Sequence, residues 1–350
     1  MIAAAVIAAG ALVGFGVFGP AVGRRLPPVA AAAILLTGSL VVVGSTCILL
    51  GVIGLTSLSG LLWGRFTPRV SRPSFVDSVP AGIGVACLVA LVLVLASGLV
   101  TGRRLVRGLV ALLREVPASE RADNPAGSGD GRLVVLDDDI PDAFTIPRPK
   151  GRIFVTTGLL AALSKPEQRV VLVHEEAHLR YHHGWLRFAA DVAAGFLPVL
   201  RPAAAGVRDA LERWADEYVA QEVGDRTAVA RAVAHAALLR SAVPTGAMAS
   251  FAARATDGDV TRRVRLLLEP APRGRRWLTG TLVALLAVGG LSTMIAASTG
   301  GVQVDAALDA TRVVVAIPAQ VGPVRLDPTK LGPVRLAPSS RGSIELRPGR

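Results

Sequence analysis

Histidine and glutamate residues that could bind and activate a metal ion are concentrated in one short stretch. Four of the five histidines lie within ten residues, in the sequence VVLVHEEAHLRYHH at 170–183. His174 and His178 are four residues apart, and Glu175 directly follows the first. Residues i and i+4 lie on one face of a helix, so two imidazoles can reach one ion with Glu175 beside it to carry a proton. This spacing is HExxH, the pattern of zinc hydrolases.

A catalytic zinc site uses three protein ligands and keeps one position open for water, so a third ligand is expected on another element. In LERWADEYVA, Glu212 and Asp216 are four residues apart and share a helical face. We predict Glu212 as the third ligand. Asp216 would accept the free N–H of a ligating histidine, and we count it with Glu175 among the catalytic residues. Glu217 and Glu222 are alternatives, interpreted as solvated helix carboxylates.

His182 and His183 continue the same predicted helix by one further turn. Ligands at i, i+4 and i+8 of a straight helix stand in a row and cannot surround an ion. We therefore reject both as the third ligand and interpret them as a polar helix end that interacts with the helix dipole.

Zinc at this site would lower the pKa of its water toward ~7. Glu175 would take the water's proton as general base and pass it to the leaving amine. Without Glu175, zinc should still bind while hydrolysis largely fails.

The helix that carries the motif has a marked beginning. Ser164 is a plausible N-cap, Glu167 completes a capping box, and Pro166 fits the first turn. Gly184 is the predicted end. Alternating apolar residues and turn formers at 132–138, 142–146 and 152–160 predict a small antiparallel sheet directly before it.

Apolar residues in long runs predict a mainly α-helical integral membrane protein. The chain is 51% hydrophobic and 4% aromatic, with a mean hydropathy of +0.51. Runs at 2–19, 29–55, 79–100 and 277–298 each approach the ~20 residues of a spanning helix, giving about four spans. Residues 186–200 are shorter and contain Asp191 and Pro198, so they are expected to abut the membrane.

The net charge of +12 comes mostly from arginines beside these apolar runs. Anionic lipid headgroups explain them, and nucleic-acid binding is not expected because no basic stripe is interleaved with aromatic residues. Cys47 and Cys87 lie inside apolar runs and predict neither a disulfide framework nor a metal site.

Arginines near the span ends predict the orientation. Arg24, Arg25 and the basic residues after 101 fall on one side, which predicts a cytoplasmic motif with the N-terminus and the C-terminal tail outside a plasma (inner) membrane. The predicted organisation is three spans in 1–100, a basic helix and linker in 101–131, a peptidase domain in 132–272, a fourth span at 277–298 and a Pro/Gly/Val-rich tail at 299–350. Within the peptidase domain, one long helical region is expected over about 206–240 and a basic helix over 261–270.

The pattern His174-Glu175-x-x-His178, followed on a later helix by Glu212-x-x-x-Asp216-x-x-x-Ala220, resembles the membrane-bound gluzincin peptidases. Two groups fit: the HtpX-type and CAAX-prenyl endopeptidases, and the BlaR/MecR-type antirepressor peptidases. The resemblance covers about 132–270. It implies a zincin-like α+β domain with Zn²⁺, and a strand of Ala143, Phe144 and Thr145 whose free edge pairs with extended substrate.

The span layout favours the BlaR/MecR type, but the tail contains no S-x-x-K and is too short for a penicillin-binding domain. We therefore expect a membrane zinc endopeptidase in regulatory proteolysis, with a protein or peptide substrate such as a cytoplasmic repressor. The alternatives are HtpX-like quality control of membrane proteins and a non-catalytic receptor with a structural zinc site.

Overall fold

The structure is a computed structural model that describes residues 2–63, 80–115, 133–146, 151–241, 260–270, 335–338 and 344–347. The chain divides into two compact units, Met1–Val304 and Asp305–Arg350. The first unit is mostly helical and contains a small sheet. Its elements, in order, are α1 (Ile2–Gly23), α2 (Pro28–Trp63), α3 (Ala81–Glu115), β1 (Leu133–Leu136), β2 (Ala143–Ile146), β3 (Arg152–Thr156), α4 (Thr157–Ala162), α5 (Lys165–Arg180), α6 (His183–Phe196), a 3₁₀ turn (Pro198–Leu200), α7 (Arg201–Val223), α8 (Arg226–Ser241) and α9 (Val260–Leu268).

Two of these helices are long and apolar enough to cross a membrane. The candidate spans are Pro28–Leu55 in α2 and Ala81–Ala111 in α3. Only 11% of the most apolar window of α3 is buried, whereas the core helix of a soluble protein would be mostly buried. The first predicted span is helical as α1, but its described apolar part, Val13–Gly23, is shorter than a span. The fourth, at 277–298, lies outside the described residues, so four spans remain a prediction.

Small residues bring α2 and α3 together. A Cβ added to Gly84 would lie 2.0 Å from the Cβ of Ser57, and one added to Gly54 would lie 2.5 Å from the side chain of Leu88. Close backbone approach at small residues is the usual way in which apolar helices associate in lipid. α3 continues to Glu115 without a break, so the third predicted span and the basic helix after it are one helix.

The segment expected to abut the membrane packs along α3. Ser97 Oγ donates a hydrogen bond to the carbonyl of Gly195 in α6 at 2.7 Å. A Cβ on Gly98 would lie 2.5 Å from the ring of Phe196. α6 is therefore held against the candidate membrane helix α3. The chain continues from the end of α6 into α7.

The sheet is mixed, so the antiparallel prediction is wrong for one of its two strand pairs. The strand order is β1-β3-β2. β2 pairs antiparallel with β3, but β1 pairs parallel with β3. Alternation identified the strands because it reflects burial of one face, but it carries no information on strand direction. β2 lies at an edge of this sheet, next to α5.

The predicted start of α5 is confirmed, and its predicted end is wrong. The backbone N–H of Ser164 donates to Glu167 Oε2 at 2.9 Å, in a capping box with a proline in the first turn. The helix ends at Arg180 rather than Gly184. His182 adopts a left-handed conformation with φ 54°, and α6 begins at the next residue. Tyr181 packs on Trp214 of α7 with ring centroids 4.7 Å apart. The turn at His182 also buries the ring of His183 against Trp214.

The long helical region expected at 206–240 is two helices. Gly224 ends α7 in a left-handed conformation with φ 76°, which favours glycine. Asp225 Oδ1 then accepts the backbone N–H of Ala228 at 2.9 Å and begins α8. α9 follows the predicted basic helix closely.

In the second unit, the described residues form two short strands. β4 (Arg335–Pro338) and β5 (Ile344–Arg347) pair antiparallel, with Leu336 opposite Leu346.

Candidate metal centre

The two histidines of the HExxH motif face each other on one side of α5. The Nε2 atoms of His174 and His178 are 3.1 Å apart. On the same side of the helix, Ala177 is fully buried and Val170, one turn before His174, is buried in the core. This packing fixes the rotation of α5, so both imidazoles point toward α7.

α7 places Glu212 opposite the two histidines. Glu212 Oε2 is 3.4 Å from His174 Nε2, and Glu212 Oε1 is 3.8 Å from His178 Nε2. Ligands at ~2.0–2.2 Å around a tetrahedral zinc ion lie roughly 3.3–3.6 Å from one another. The three donor atoms all lie within 4.8 Å of one another, so this His/His/Glu set could hold a zinc ion and leave a fourth position free.

Asp216 lies behind His174, one turn further along α7. Its Oδ1 is 3.2 Å from His174 Nδ1, the ring nitrogen on the side away from Glu212. Burial lowers the pKa of His174, but contacts with Asp216 and Glu212 outweigh it and raise that pKa to about 9. The structure thus brings Asp216 within ion-pair distance of His174, without the geometry of a hydrogen bond to its Nδ1.

Arg263 of α9 is a site residue that the sequence did not reveal. Its guanidinium donates two hydrogen bonds to the carboxylate of Asp216, both at 2.7 Å, and lies 3.1 Å from Glu212 Oε2. Arg263 is 4% exposed. Burial raises the pKa values of both carboxyls, but Arg263 and the neighbouring histidines together outweigh it, lowering that of Asp216 to about 2 and that of Glu212 well below its usual value. A basic helix was predicted here, but no local pattern gives its partner.

His183 is not the polar helix end expected from the sequence, and that interpretation is wrong. It is 2% exposed, and its Nδ1 lies 2.9 Å from the Nδ1 of His178. Burial, together with the nearby His174, lowers its pKa to about 4 despite the opposing effect of Glu212. His182, by contrast, is exposed, as expected.

Glu175 is buried beside the two histidines, with 7% of its surface exposed. Burial, the charge of Glu212 and that of Asp142 raise its pKa to about 7, although His174 and Arg240 oppose the shift. It lines a pocket with aliphatic walls whose other polar side chains are His174, Arg240 and Arg263. A carboxyl with such a pKa can exchange a proton near neutral pH.

The three residues of the expected substrate strand do not play equal parts. Ala143 lines the pocket beside Glu175. The ring of Phe144 instead stacks on Phe154 of β3, with centroids 5.2 Å apart, so this side chain belongs to the sheet. Thr145 is half-buried on the edge strand and does not line the pocket.

The alternative acidic residues lie outside the candidate site, but only Glu222 is a solvated carboxylate as expected, since Glu217 is half-buried. Glu217 accepts hydrogen bonds from the guanidinium of Arg226 at 2.6 and 2.9 Å, and Glu222 is exposed.

Comparison with known proteins agrees with this chemistry. Residues 118–243, about a third of the chain, match the model of Peptidase family M48. A stretch of 73 residues is 40% identical to a Protease HtpX homolog of Acidiphilium cryptum (strain JF-5), covering 20% of this chain and 25% of that relative. The chain thus matches about a quarter of the length of this relative. No solved structure matches the chain. The part of the chain that carries the His/His/Glu cluster is thus similar to a metallopeptidase family and to a protease.

Proposed function

We propose that this protein is a zinc-dependent membrane endopeptidase. The observation that carries the proposal is the convergence of His174, His178 and Glu212 from two helices, with Glu175 buried beside them at a pocket. The match to Peptidase family M48 spans all four residues. A structural zinc site would close the coordination with a fourth ligand, and among the described residues the cluster contains three.

The donor set suits zinc, because two imidazoles and a carboxylate are the ligands of many catalytic zinc sites. A bound zinc ion would act as a Lewis acid on the scissile carbonyl and lower the pKa of a water molecule. Arg263 and Asp216 hold Glu212 and His174 before any ion binds, so little reorganisation is needed.

Glu175 is the proposed general base and acid. Its carboxylate takes a proton from the attacking water and returns it to the amine of the leaving peptide. Its raised pKa of about 7 suits both halves of this transfer, because the group must accept and then release a proton.

The edge strand β2 is the proposed substrate track. The N–H of Thr156 donates to the carbonyl of Asp142 at 3.0 Å, and bonded pairs alternate along an antiparallel ladder. Phe144 lies opposite Phe154, so the backbone N–H and C=O of Phe144 form hydrogen bonds with β3. The backbone N–H and C=O groups of Ala143 and Thr145 point to the free edge. An extended substrate could pair there, beside the pocket, after displacing the Asp142 carboxylate from the Ala143 N–H.

The proposed location is the cytoplasmic face of a plasma membrane, with the N-terminus and the tail outside. Exposed Arg103, Arg104 and Arg107 follow the apolar part of α3, and exposed Arg24 and Arg25 follow α1.

To test this orientation, Ser119→Cys and Ser340→Cys are labelled in intact cells with a membrane-impermeant maleimide, in a background without Cys47 and Cys87. Labelling of position 340 alone is expected, and labelling of position 119 would refute the orientation.

The decisive test of activity compares zinc content and hydrolysis in the full-length protein in detergent. Glu212→Gln should lose bound zinc and hydrolysis of an unfolded protein such as casein. Glu175→Gln should keep zinc and lose roughly 10²–10⁴-fold in kcat. Glu217→Gln changes the residue directly after Asp216, and the Glu217 carboxylate pairs with Arg226 outside the site. This variant is the matched control and should keep both. Full zinc binding by Glu212→Gln would show that Glu212 is not the third ligand. Hydrolysis by Glu175→Gln would show that Glu175 is not the base.

The substrate is proposed to be a protein, either one cytoplasmic regulator or a range of damaged membrane proteins. The match to a Protease HtpX homolog favours the second, by analogy with quality control. Crosslinking in native membranes with Glu175→Gln as a trap separates the two. One dominant soluble partner supports regulatory proteolysis, and a broad set of membrane proteins contradicts it. A wild-type protein that binds zinc in stoichiometric amount but cleaves no protein would instead support the non-catalytic receptor.

A further inference from the structure

We propose that His183 is the positioning residue of His178, holding it in the tautomer that binds a metal ion through Nε2. This rests on the proposed zinc site and extends it beyond the three ligands. The chain turns back at His182, where φ is 54°, and brings the first residue of α6 under the second histidine of the motif.

The geometry assigns the two nitrogens of His178 different tasks. Its Nε2 faces His174 Nε2 at 3.1 Å and Glu212 Oε1 at 3.8 Å. Its Nδ1 faces His183 Nδ1 at 2.9 Å. Metal binding through Nε2 requires a free lone pair there, so a neutral His178 carries its proton on Nδ1. That proton can only be donated, and His183 Nδ1 lies where the acceptor must be.

The same contact rules His183 out as a ligand. It approaches the ring of His178 from the nitrogen opposite to the metal-facing one, and it is not among the converging donors His174, His178 and Glu212. As acceptor at Nδ1, a neutral His183 carries its own proton on Nε2. That nitrogen is buried and has no hydrogen-bond partner in the described part of the chain.

Aromatic packing fixes the ring of His183. It stacks with Tyr181 at 6.0 Å between centroids and packs at 54° on Trp214 at 4.9 Å. Trp214 is two residues after Glu212 on α7, so one helix supplies a proposed ligand and supports the positioning residue.

The two ligating histidines thus have different supports. His174 has the carboxylate of Asp216 behind it at 3.2 Å, and Arg263 binds that carboxylate. His178 has a neutral imidazole. A second carboxylate at this position would add negative charge near Glu212, whereas an imidazole supplies the acceptor alone.

The test measures zinc affinity by competition with a chromophoric chelator, using full-length protein in detergent. His183→Phe keeps a ring but removes the acceptor, and it should weaken zinc binding by about 10–100-fold. His183→Asn places an oxygen near the former Nδ1 and should bind zinc within about threefold of wild type. His182→Asn, at the exposed left-handed position next to it, is the matched control and should equal wild type.

A merely structural role would lower the melting temperature of the metal-free Phe and Asn variants without separating their zinc affinities. Equal affinities of His183→Phe and wild type would overturn the proposal, as would equal losses in Phe and Asn. If His183→Phe does not fold, His183→Ala replaces it in the same comparison. Absence of stoichiometric zinc in wild type would instead contradict the proposed function, so the two failures are distinguishable.

Discussion

At the scale of single residues, the candidate metal centre depends on one guanidinium. Arg263 lies within 3.1 Å of two carboxylates on adjacent turns of α7, the half-buried Glu212 and the buried Asp216. Two such charges would repel each other and resist burial without a cation between them. Arg263 therefore organises the acidic half of the site in the metal-free protein.

Arg263→Met should destabilise the metal-free protein by about 3–5 kcal/mol, since it leaves buried carboxylates without their partner. Arg263→Lys should recover only part of this, because an ammonium cannot form the planar pair of bonds to Asp216. Unfolding in denaturant with chelator present measures the change. Arg265→Met, on the exposed side of the same helix, is the control, and equal stabilities of the two Met variants would contradict this role.

Glu175 should cost stability when it ionises in the metal-free protein. Its folded-state pKa of about 7 lies above the ordinary value of 4.5, so the folded form binds the proton more tightly. The stability that comes from this tighter proton binding is fully present below pH 4.5 and is lost as pH rises through 7. Glu175→Gln should therefore match wild type at pH 4.5 and be more stable at pH 8, by roughly 3 kcal/mol.

Melting temperatures of the two chelator-treated proteins, measured from pH 4.5 to 8, check this expectation. Glu176→Gln alters the exposed neighbour and should show no such pH-dependent difference. A constant difference between Glu175→Gln and wild type across the pH range would show that burial does not raise the pKa of Glu175.

At the scale of elements, the site lies between α5, α7, α9 and the free edge of β2. The helices contribute side chains at i and i+4, and the edge strand contributes backbone groups that do not bond to β3. An edge strand beside a pocket can add one strand of an extended peptide without rearranging the sheet.

Thr145→Pro should impair substrate binding while leaving the sheet intact. Proline removes the N–H of Thr145, which is directed away from β3, and proline is tolerated on edge strands. One lost hydrogen bond of about 0.5–1.5 kcal/mol predicts a roughly 3- to 10-fold lower kcat/KM for long peptides, with zinc affinity unchanged. Thr145→Val keeps the N–H and serves as control; equal kcat/KM values for the two variants would exclude pairing at this edge.

At the scale of the whole molecule, α7 connects the metal centre to the candidate membrane helices. Arg213, 7% exposed, contacts the carbonyls of Gly23 and Leu26 at 3.4 Å, where α1 ends and the chain turns into α2. On its other side it pairs with Asp209, which also binds Arg262 of α9. Because Arg213 directly follows Glu212, the anchor and the proposed ligand share one turn of helix.

Arg213→Met should loosen the connection between α1 and α2. It removes donors from two carbonyls and one of the partners of a buried carboxylate, so the expected loss of stability is about 1–3 kcal/mol. Trypsin should then cleave faster after the exposed Arg24 and Arg25, which limited proteolysis in nanodiscs measures. Arg201→Met, at the exposed start of α7, is the control, and an unchanged cleavage rate in Arg213→Met would contradict the anchor.

The sequence by itself determined the features that depend on local spacing. The pairs His174/His178 and Glu212/Asp216 are each four residues apart, so any helix places their members on one face. The beginning of α5 at Ser164 and the apolar stretches of α2 and α3 are likewise local patterns, and the structure contains them. For that reason the converging donors could be named before the structure, while their roles in catalysis stay predictions.

Only the tertiary structure decided which distant groups meet. Arg263 is 47 residues from Asp216 in sequence, and a basic residue in an amphipathic helix gives no sign of its partner. The parallel pairing of β1 with β3 depends on the path of the connecting chain, which burial alternation does not encode. The sequence predicts a polar helix end at His183 because its first stop signal is Gly184, whereas packing of Tyr181 and His183 on Trp214 favours a turn at His182. These outcomes depend on contacts between elements, and such contacts are settled when the core packs.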